Sequence, residues 1–136
     1  MSIFHLAFKV KDLPSTRQFY IDILGCTEGR STTSWIDFNF FGHQLSAHLS
    51  EDRPPLDYCG KVDQVAVPIP HFGVVLSVAQ FKEVQRNLEQ AGVEFMLKPQ
   101  LRYKGKVGEQ WTLFVFDFSG NPLEFKAFSK EEEIFL

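Results

Sequence analysis

This chain has little cysteine, no long apolar run and no excess of positive charge. Its two cysteines, Cys26 and Cys59, lie far apart and form no metal-binding spacing, which favours free thiols in a reducing cytoplasm. The formal charge of −3 offers no basic field for nucleic acid or an anionic membrane. No apolar run approaches the roughly 20 residues of a membrane-spanning helix, and no signal peptide is visible. We therefore expect a cytoplasmic protein that binds neither nucleic acid nor membrane.

What the chain does contain is a hydrophobic core and an internal repeat. Its 136 residues are 44% hydrophobic and include 15 phenylalanines, enough for one compact domain. The first copy of the repeat has His-Leu-Ala-Phe-Lys-Val at 5–10 and a Gly-His-Gln-Leu segment at 42–45. The second has His-Phe-Gly-Val-Val-Leu at 71–76 and Gly-Asn-Pro-Leu-Glu at 120–124. Each copy opens with a histidine and closes with Gly-x-x-Leu, so the duplication predicts two similar modules.

The order of strand and helix patterns predicts an α+β fold: two tandem βαββ(β) modules forming a curved mixed sheet around a metal-binding cleft. Within a single domain, module one covers about 1–50, a linker with Pro54-Pro55 about 51–64, module two about 65–128 and a C-terminal tail 129–136. Predicted strands lie at 3–10, 32–39, 44–50, 72–78, 93–97, 110–117 and 123–128. We expect a weak strand near 26–30, helices after Pro14 and at 79–90, and a long charged loop at 98–109.

Two histidines and a glutamate stand where the repeat can bring them together. His5 and His71 open equivalent strands, and Glu124 lies in a Phe-rich strand, where an unpaired buried carboxylate is costly. A divalent cation is one partner for such a carboxylate, and two histidines with one carboxylate suit Fe²⁺, Mn²⁺ or Zn²⁺. The alternatives are two ordinary hydrogen-bonded histidines and a glutamate that faces solvent in an alternating strand. The joint occurrence at repeat-equivalent positions favours the metal site.

Two segments resemble a known group of proteins. His5-x-x-Phe-x-Val followed by Asp12-Leu-Pro-Ser-Thr-Arg-Gln-Phe-Tyr20 looks like the opening of the vicinal oxygen chelate superfamily. Asp117-Phe-Ser-Gly-Asn-Pro-Leu-Glu-Phe125 is similar to that group's terminal D-P-x-G-N-x-L-E-F signature, with Phe118 in place of proline. The superfamily includes glyoxalase I, fosfomycin-resistance proteins, bleomycin-binding proteins, extradiol dioxygenases and methylmalonyl-CoA epimerase. The resemblance covers about residues 3–128.

The resemblance implies a ligand set and a kind of substrate. His5, His71 and Glu124 match the superfamily's metal ligands, whereas Ser46 stands at the fourth position that glyoxalase-like members use. Such a three-ligand set resembles the extradiol dioxygenase and fosfomycin-modifying branches, and the bleomycin-binding members lack the ligands. Members act on small substrates that chelate the metal through adjacent oxygens, so we expect a small-molecule substrate. The two modules form their cleft either within one chain or by exchange between the chains of a homodimer, and the sequence allows both.

Further candidates follow from position in the chain. His48 and Tyr103 are the candidate catalytic acid or base groups, and Tyr103 lies in the charged loop, where functional residues concentrate. The candidate substrate-binding residues are cationic side chains of that loop and a glutamine near its end: Arg102, Lys104, Lys106 and Gln110. The leading hypothesis is a dioxygenase-like or glyoxalase-like metal enzyme. Its alternatives are a non-catalytic protein that sequesters a small molecule and a metal-stabilised regulatory domain.

Overall fold

The computed structural model describes all residues, 1–136, and the chain divides into two compact units. Unit 1 consists of Met1–Pro55 together with the short segment Asp117–Asn121. Unit 2 consists of Leu56–Phe116 and Pro122–Leu136. Each unit has one four-stranded mixed sheet and one main helical segment, which confirms the α+β class and the duplication.

Unit 1 is built on a sheet with the strand order β1-β4-β3-β2. Its strands are β1 (His5–Val10), β2 (Thr27–Ser31), β3 (Trp35–Phe40) and β4 (His43–Leu49). The helical segment begins as α1 (Leu13–Arg17), whose start is capped by Asp12, since the Asp12 side chain accepts the Ser15 backbone N–H. It continues as a π-helical stretch, Gln18–Ile23. The apolar residues whose spacing predicts a buried helix face, Phe19, Ile23 and Leu24, are all buried, and Tyr20 is buried as well.

Unit 2 repeats the arrangement with the order β7-β10-β9-β8. Its strands are β5 (Gly60–Val62), β6 (Val65–Val67), β7 (Phe72–Leu76), β8 (Phe95–Arg102), β9 (Gln110–Phe116) and β10 (Pro122–Phe128). Helix α2 (Val78–Gln90) starts at a capping box between Ser77 and Gln80, and a short 3-10 turn, Glu131–Glu133, follows the last strand. None of the helices in the chain has the length and apolar character needed to cross a membrane.

Strand register places the two repeats in correspondence. In unit 1 the parallel pair β1–β4 sets Ala7 opposite Ser46, and in unit 2 the pair β7–β10 sets Gly73 opposite Glu124. His5 and His71 each lie two residues before these positions. Since residues two apart on a strand share a face, each histidine is on the side of its sheet that carries Ser46 or Glu124.

Two local differences from the sequence prediction have physical causes. β8 runs to Arg102, five residues beyond its predicted end, although Lys98-Pro99 reads as the start of a loop. β8 is an edge strand with irregular register between Leu97 and Gln100, and an edge or bulge tolerates proline because no ladder hydrogen bond is lost. The charged loop is therefore shorter, 103–109.

A small hairpin, β5–β6, stands where the sequence reads partly as linker. Its two turn residues, Asp63 and Gln64, both have positive φ, at 47° and 72°, as a tight two-residue hairpin turn requires. Val62 and Val67 are buried against Leu97 and Phe114 of the main sheet of unit 2. This packing of apolar side chains explains why so short a hairpin forms.

Candidate metal centre

His71 and Glu124 form the centre of the candidate site in unit 2. His71 immediately precedes β7, and Glu124 lies on the neighbouring strand β10. The Nε2 atom of His71 is 3.1 Å from Oε1 of Glu124. The two strands approach closely because Gly73 faces Glu124: a Cβ atom added there would lie 1.6 Å from the Glu124 carbonyl oxygen. Glycine at 73 is therefore part of what brings the histidine and the carboxylate together.

The second nitrogen of His71 fixes the state of the ring. Nδ1 lies 2.7 Å from the carbonyl oxygen of Pro68, which only accepts hydrogen bonds, so Nδ1 carries the proton. In a neutral ring, Nε2 then presents a lone pair toward Glu124. This arrangement, a histidine whose outer nitrogen donates to a backbone carbonyl, is typical of metal-ligating histidines.

The second oxygen of Glu124 is also occupied. Thr112 on β9 donates its hydroxyl hydrogen to Oε2 at 2.5 Å, and the glutamate residue is only 7% exposed. Thr112 thus turns the carboxylate so that Oε1 faces His71. Two lone-pair atoms facing each other require a shared proton or a cation.

The separation of these two atoms suits a cation. Ligand atoms with bonds of about 2.1 Å at about 90° around one ion stand about 3 Å apart, and the observed separation is 3.1 Å. The protein itself also supplies positive charge here, because Nζ of Lys126 is 4.0 Å from Oε1 of Glu124. The ring of His71 packs edge-on against Phe114, with 4.9 Å between centroids, and this contact limits its rotation. A cavity of about 220 Å³ is lined by His71, Glu124 and Lys126 together with β7.

The third predicted ligand, His5, is the exposed first residue of β1 in unit 1. No group of three or more His, Cys, Asp and Glu side chains in the single chain is arranged to hold a metal ion. His71 and Glu124 are therefore a pair of candidate ligands, and an imidazole nitrogen with a carboxylate oxygen is a donor set that fits a divalent metal.

The predicted substrate residues of unit 2 lie at one end of its sheet. Arg102 on β8 pairs across the strands with Gln110 on β9, and Gln110 pairs with Phe128 on β10. Phe128 is four residues beyond Glu124 on β10, an even number, so Gln110 is on the same face of the sheet as Glu124. Gln110 is 8% exposed, and its Oε1 atom has no hydrogen-bond partner.

Arg102 and Tyr103 contact each other at this end. An Nη atom of Arg102 donates to the Tyr103 hydroxyl at 3.0 Å, and Nε lies 3.4 Å from Asp63 Oδ2, at the tip of the β5–β6 hairpin. Tyr103 has a φ of 56° and is about half exposed. Lys104 is exposed in the following loop.

The remaining predicted catalytic group, His48, belongs to unit 1. It is exposed on β4 opposite Trp35, with 6.4 Å between ring centroids. Its neighbour on the same face, Ser46, donates a hydrogen bond of 2.6 Å to Asp37 Oδ1. Ser46 and Asp37 are both buried.

Sequence reasoning missed Asp37, Thr112 and Pro68. Asp37 had a detectable signal, since it is the one charged residue within the apolar strand Trp-Ile-Asp-Phe-Asn-Phe. Thr112 and Pro68 had none, because their roles depend on cross-strand register and on the path of the backbone before β7.

Comparisons with known proteins agree with this fold. The sequence model of the Glyoxalase/Bleomycin resistance protein/Dioxygenase superfamily matches residues 2–125. A solved structure of a glyoxalase/bleomycin resistance protein/dioxygenase from Alicyclobacillus acidocaldarius is 31% identical, covers 98% of this chain and 96% of its own, and superposes with a TM-score of 0.79. No curated protein matches the sequence.

A more distant structure shows likeness of fold alone. The genomically encoded fosfomycin resistance protein from Listeria monocytogenes is 20% identical, with 98% of each chain covered and a TM-score of 0.73.

Proposed function

We propose that this chain, which belongs to the Glyoxalase/Bleomycin resistance protein/Dioxygenase superfamily, is a small metal-dependent enzyme. Its substrate is a small molecule that chelates the metal through two adjacent oxygens, and its chemistry is of the dioxygenase or glyoxalase type. The observation that carries the proposal is the His71–Glu124 contact, in which Nε2 and Oε1 face each other at 3.1 Å while each residue's other polar atom is held by a protein group.

The proposed ligands are His71, Glu124 and His5, and the proposed ion is Fe²⁺, Mn²⁺ or Zn²⁺. When bound, such an ion supplies Lewis acidity to the two substrate oxygens. His5 stands at the repeat position equivalent to His71, and we assign it the third ligand role, either from the same chain or from a second copy in a homodimer. Three protein ligands leave open positions for a bidentate substrate.

The other predicted residues receive supporting roles. Arg102 and Lys104 offer hydrogen-bond donors to an anionic or polar substrate group, and Gln110 offers the acceptor Oε1 to a substrate donor. Arg102 and Gln110 are neighbours in one pairing row, and a ligand that contacts both satisfies the Gln110 oxygen that has no partner. His48 and Tyr103 move a proton to or from the substrate.

Metal content tests the proposal directly. Purified protein is expected to hold about one divalent ion per site, measured by elemental analysis after removal of loosely bound ions. His71→Ala, Glu124→Gln and His5→Ala should each lose the ion, whereas His48→Gln should keep it. Retention of a stoichiometric ion in both His71→Ala and Glu124→Gln would contradict the proposed centre.

The assembly and the reaction have separate tests. Light scattering of the wild-type protein with and without its metal decides between one chain and two, and mixing His5→Ala with Glu124→Gln protein tests exchange. In a swapped homodimer this mixture regains one intact site, whereas sites within single chains are not regained. Oxygen uptake with a panel of catechols tests the ring-cleavage branch.

A metal-free binding protein is the second candidate, and Lys126 favours it. Its Nζ atom, 4.0 Å from Glu124 Oε1, supplies positive charge to the carboxylate without any ion. Such a protein would sequester a small molecule without converting it. Chelator treatment distinguishes the two, because a binding protein keeps its ligand when metal is removed and a metal enzyme does not.

A further inference from the structure

Unit 1 contains a second pocket that none of the proposed metal ligands lines. It has a volume of about 360 Å³ and its polar lining consists of Arg30, Asp37, Asn39, His43 and Gln44. Pockets for small molecules span about 300 to 1,000 Å³, so this one suits a compound of about amino-acid size.

The buried group in this pocket is the carboxylate of Asp37. The residue is 8% exposed, and the hydroxyl of Ser46 is its only hydrogen-bond partner, bound to Oδ1 at 2.6 Å. None of the salt bridges of the chain involves it. Because a carboxylate can accept about four hydrogen bonds, Asp37 retains capacity for a donor that enters the pocket.

The space over Asp37 depends on Gly29. β2 pairs Thr27 with Asn39 and Glu28 with Phe38 of β3, and the next step of this register sets Gly29 beside Asp37, before the register shifts ahead of Ser31. A Cβ atom at 29 would lie 3.4 Å from the Asp37 Cβ. An alanine would only touch the aspartate, but a larger side chain would fill the pocket above it.

The other polar residues of the lining supply donors. His43 accepts the Phe4 backbone N–H at Nδ1, 3.1 Å away, so in the neutral ring its Nε2 carries the proton. Asn39 accepts the Gly42 N–H through Oδ1 at 2.8 Å, which leaves its amide hydrogens available. The exposed guanidinium of Arg30, held 6.0 Å from the Trp35 ring centroid, adds positive charge.

A buried acceptor together with several donors selects a molecule with two different ends. We propose that this pocket binds small amino or hydroxy acids, with the ammonium or hydroxyl group on Asp37 and the carboxylate among Arg30, His43 and Asn39. The contact with Asp37 provides selectivity. A ligand without a hydrogen-bond donor leaves the buried carboxylate without a partner and therefore binds more weakly. The pocket lies on the sheet face that also carries His5, whose strand partner Gln44 lines it, but none of its proposed contacts involves a metal ligand.

Amide chemical shifts of the full-length, ¹⁵N-labelled protein test the proposal, with a chelator present throughout. The probes are L-serine and L-lactate, which have two polar ends, and ethylamine and acetate, which have one. Serine or lactate is expected to shift the amide signals of Gly29, Asn39 and Gln44 at concentrations up to about 10 mM, and the one-ended probes to bind at least about tenfold more weakly.

Three variants complete the test. Asp37→Asn should weaken serine binding by about tenfold or more, because the amide loses the charge while Ser46 can still donate to its oxygen. Gly29→Val should abolish binding by filling the pocket. Asp22→Asn, which neutralises an exposed aspartate of the same unit outside the pocket, should leave binding unchanged.

Several results would overturn the proposal: no shift with either two-ended probe, shifts that map elsewhere, equal binding of acetate, or unchanged binding in Asp37→Asn. If Asp37→Asn does not fold, Gly29→Val decides, because it leaves the carboxylate in place. Since the chelator removes any metal, failure here leaves the metal centre standing, and failure of the metal centre leaves this pocket standing.

Discussion

The hydroxyl of Tyr20 donates a hydrogen bond to Oδ2 of Asp117 at 2.8 Å, although the two residues are 97 positions apart in the chain. Asp117 also accepts the backbone N–H groups of Ser119 and Asn121 at its other oxygen, at 2.8 and 2.9 Å. The side chain of Asn121 in turn donates to the carbonyl oxygen of Lys9 at 2.8 Å. These contacts explain why the segment Asp117–Asn121 belongs to unit 1 while the strands on either side of it belong to unit 2.

We expect Tyr20→Phe to lower the free energy of unfolding by about 1 to 3 kcal/mol, because a buried carboxylate loses a donor. Tyr20 is fully buried, and that burial, followed by the charge of Asp117, raises the pKa of the phenol well above its usual value. Urea titration followed by circular dichroism measures the change. Tyr58→Phe, at an exposed tyrosine, is the control. Equal stabilities of the two variants would contradict a stabilising role for this hydrogen bond.

Gly73→Ala should destabilise the protein by about 2 kcal/mol or more, since a Cβ atom would collide with backbone that cannot move without breaking the β7–β10 pairing. The same variant should weaken metal binding, because the pairing positions Glu124. Gly29→Ala is the matched control: its added Cβ meets only ordinary contacts. Thermal unfolding of both variants gives the comparison, and a Gly73→Ala protein as stable as Gly29→Ala would refute the close approach.

The fold was predictable from the sequence because single residues at corresponding positions of the two halves reveal the repeat. His5 and His71, Gly42 and Gly120, and Leu45 and Leu123 establish the correspondence of the two halves without any knowledge of packing. The register that results, Ala7 with Ser46 and Gly73 with Glu124, follows the same alignment. The prediction failed at Pro99, because edge position, which makes a proline acceptable in a strand, is a property of the finished sheet.

The candidate site was predictable only in part. The repeat singled out His71 and Glu124, but not the groups that orient them, because Thr112 and Pro68 are ordinary residues whose roles arise from register and backbone path. In unit 1 the carboxylate of Asp37 is on β3 and the hydroxyl of Ser46 is on β4. In unit 2 the hydroxyl of Thr112 is on β9, the counterpart of β3, and the carboxylate of Glu124 is on β10, the counterpart of β4. The carboxylate and the hydroxyl therefore stand on exchanged strands in the two repeats. An alignment of like residues therefore does not detect this similarity.

Stability at alkaline pH should depend on Cys26. Burial raises the pKa of this thiol from about 9 to about 12, so the folded state holds the proton more tightly than the unfolded state. Its contribution to stability is then complete below about pH 9 and is lost as the pH rises toward about 12. Cys26→Ala should flatten the fall of the unfolding free energy over this interval, and Cys59→Ala, at an exposed thiol, should not.

Thiol labelling checks the same feature independently. At pH 8 a chromogenic disulfide reagent should modify Cys59 rapidly in the folded protein and reach Cys26 only after denaturation, because the thiolate is the reactive form. Rapid labelling of both cysteines in the folded protein would contradict the burial of Cys26.

Thr112→Val should weaken binding of the proposed metal by about 10- to 100-fold while leaving the fold intact. The valine keeps the shape of the side chain but removes the hydroxyl that donates to Glu124 Oε2 at 2.5 Å, so the carboxylate can rotate and Oε1 is no longer held toward His71. Thr112→Ser keeps the donor and should retain most of the affinity. Competition with a chromophoric chelator measures the dissociation constants. If Thr112→Val and Thr112→Ser bind the ion equally well, the hydroxyl does not orient the carboxylate, and Glu124 takes its position from strand pairing alone.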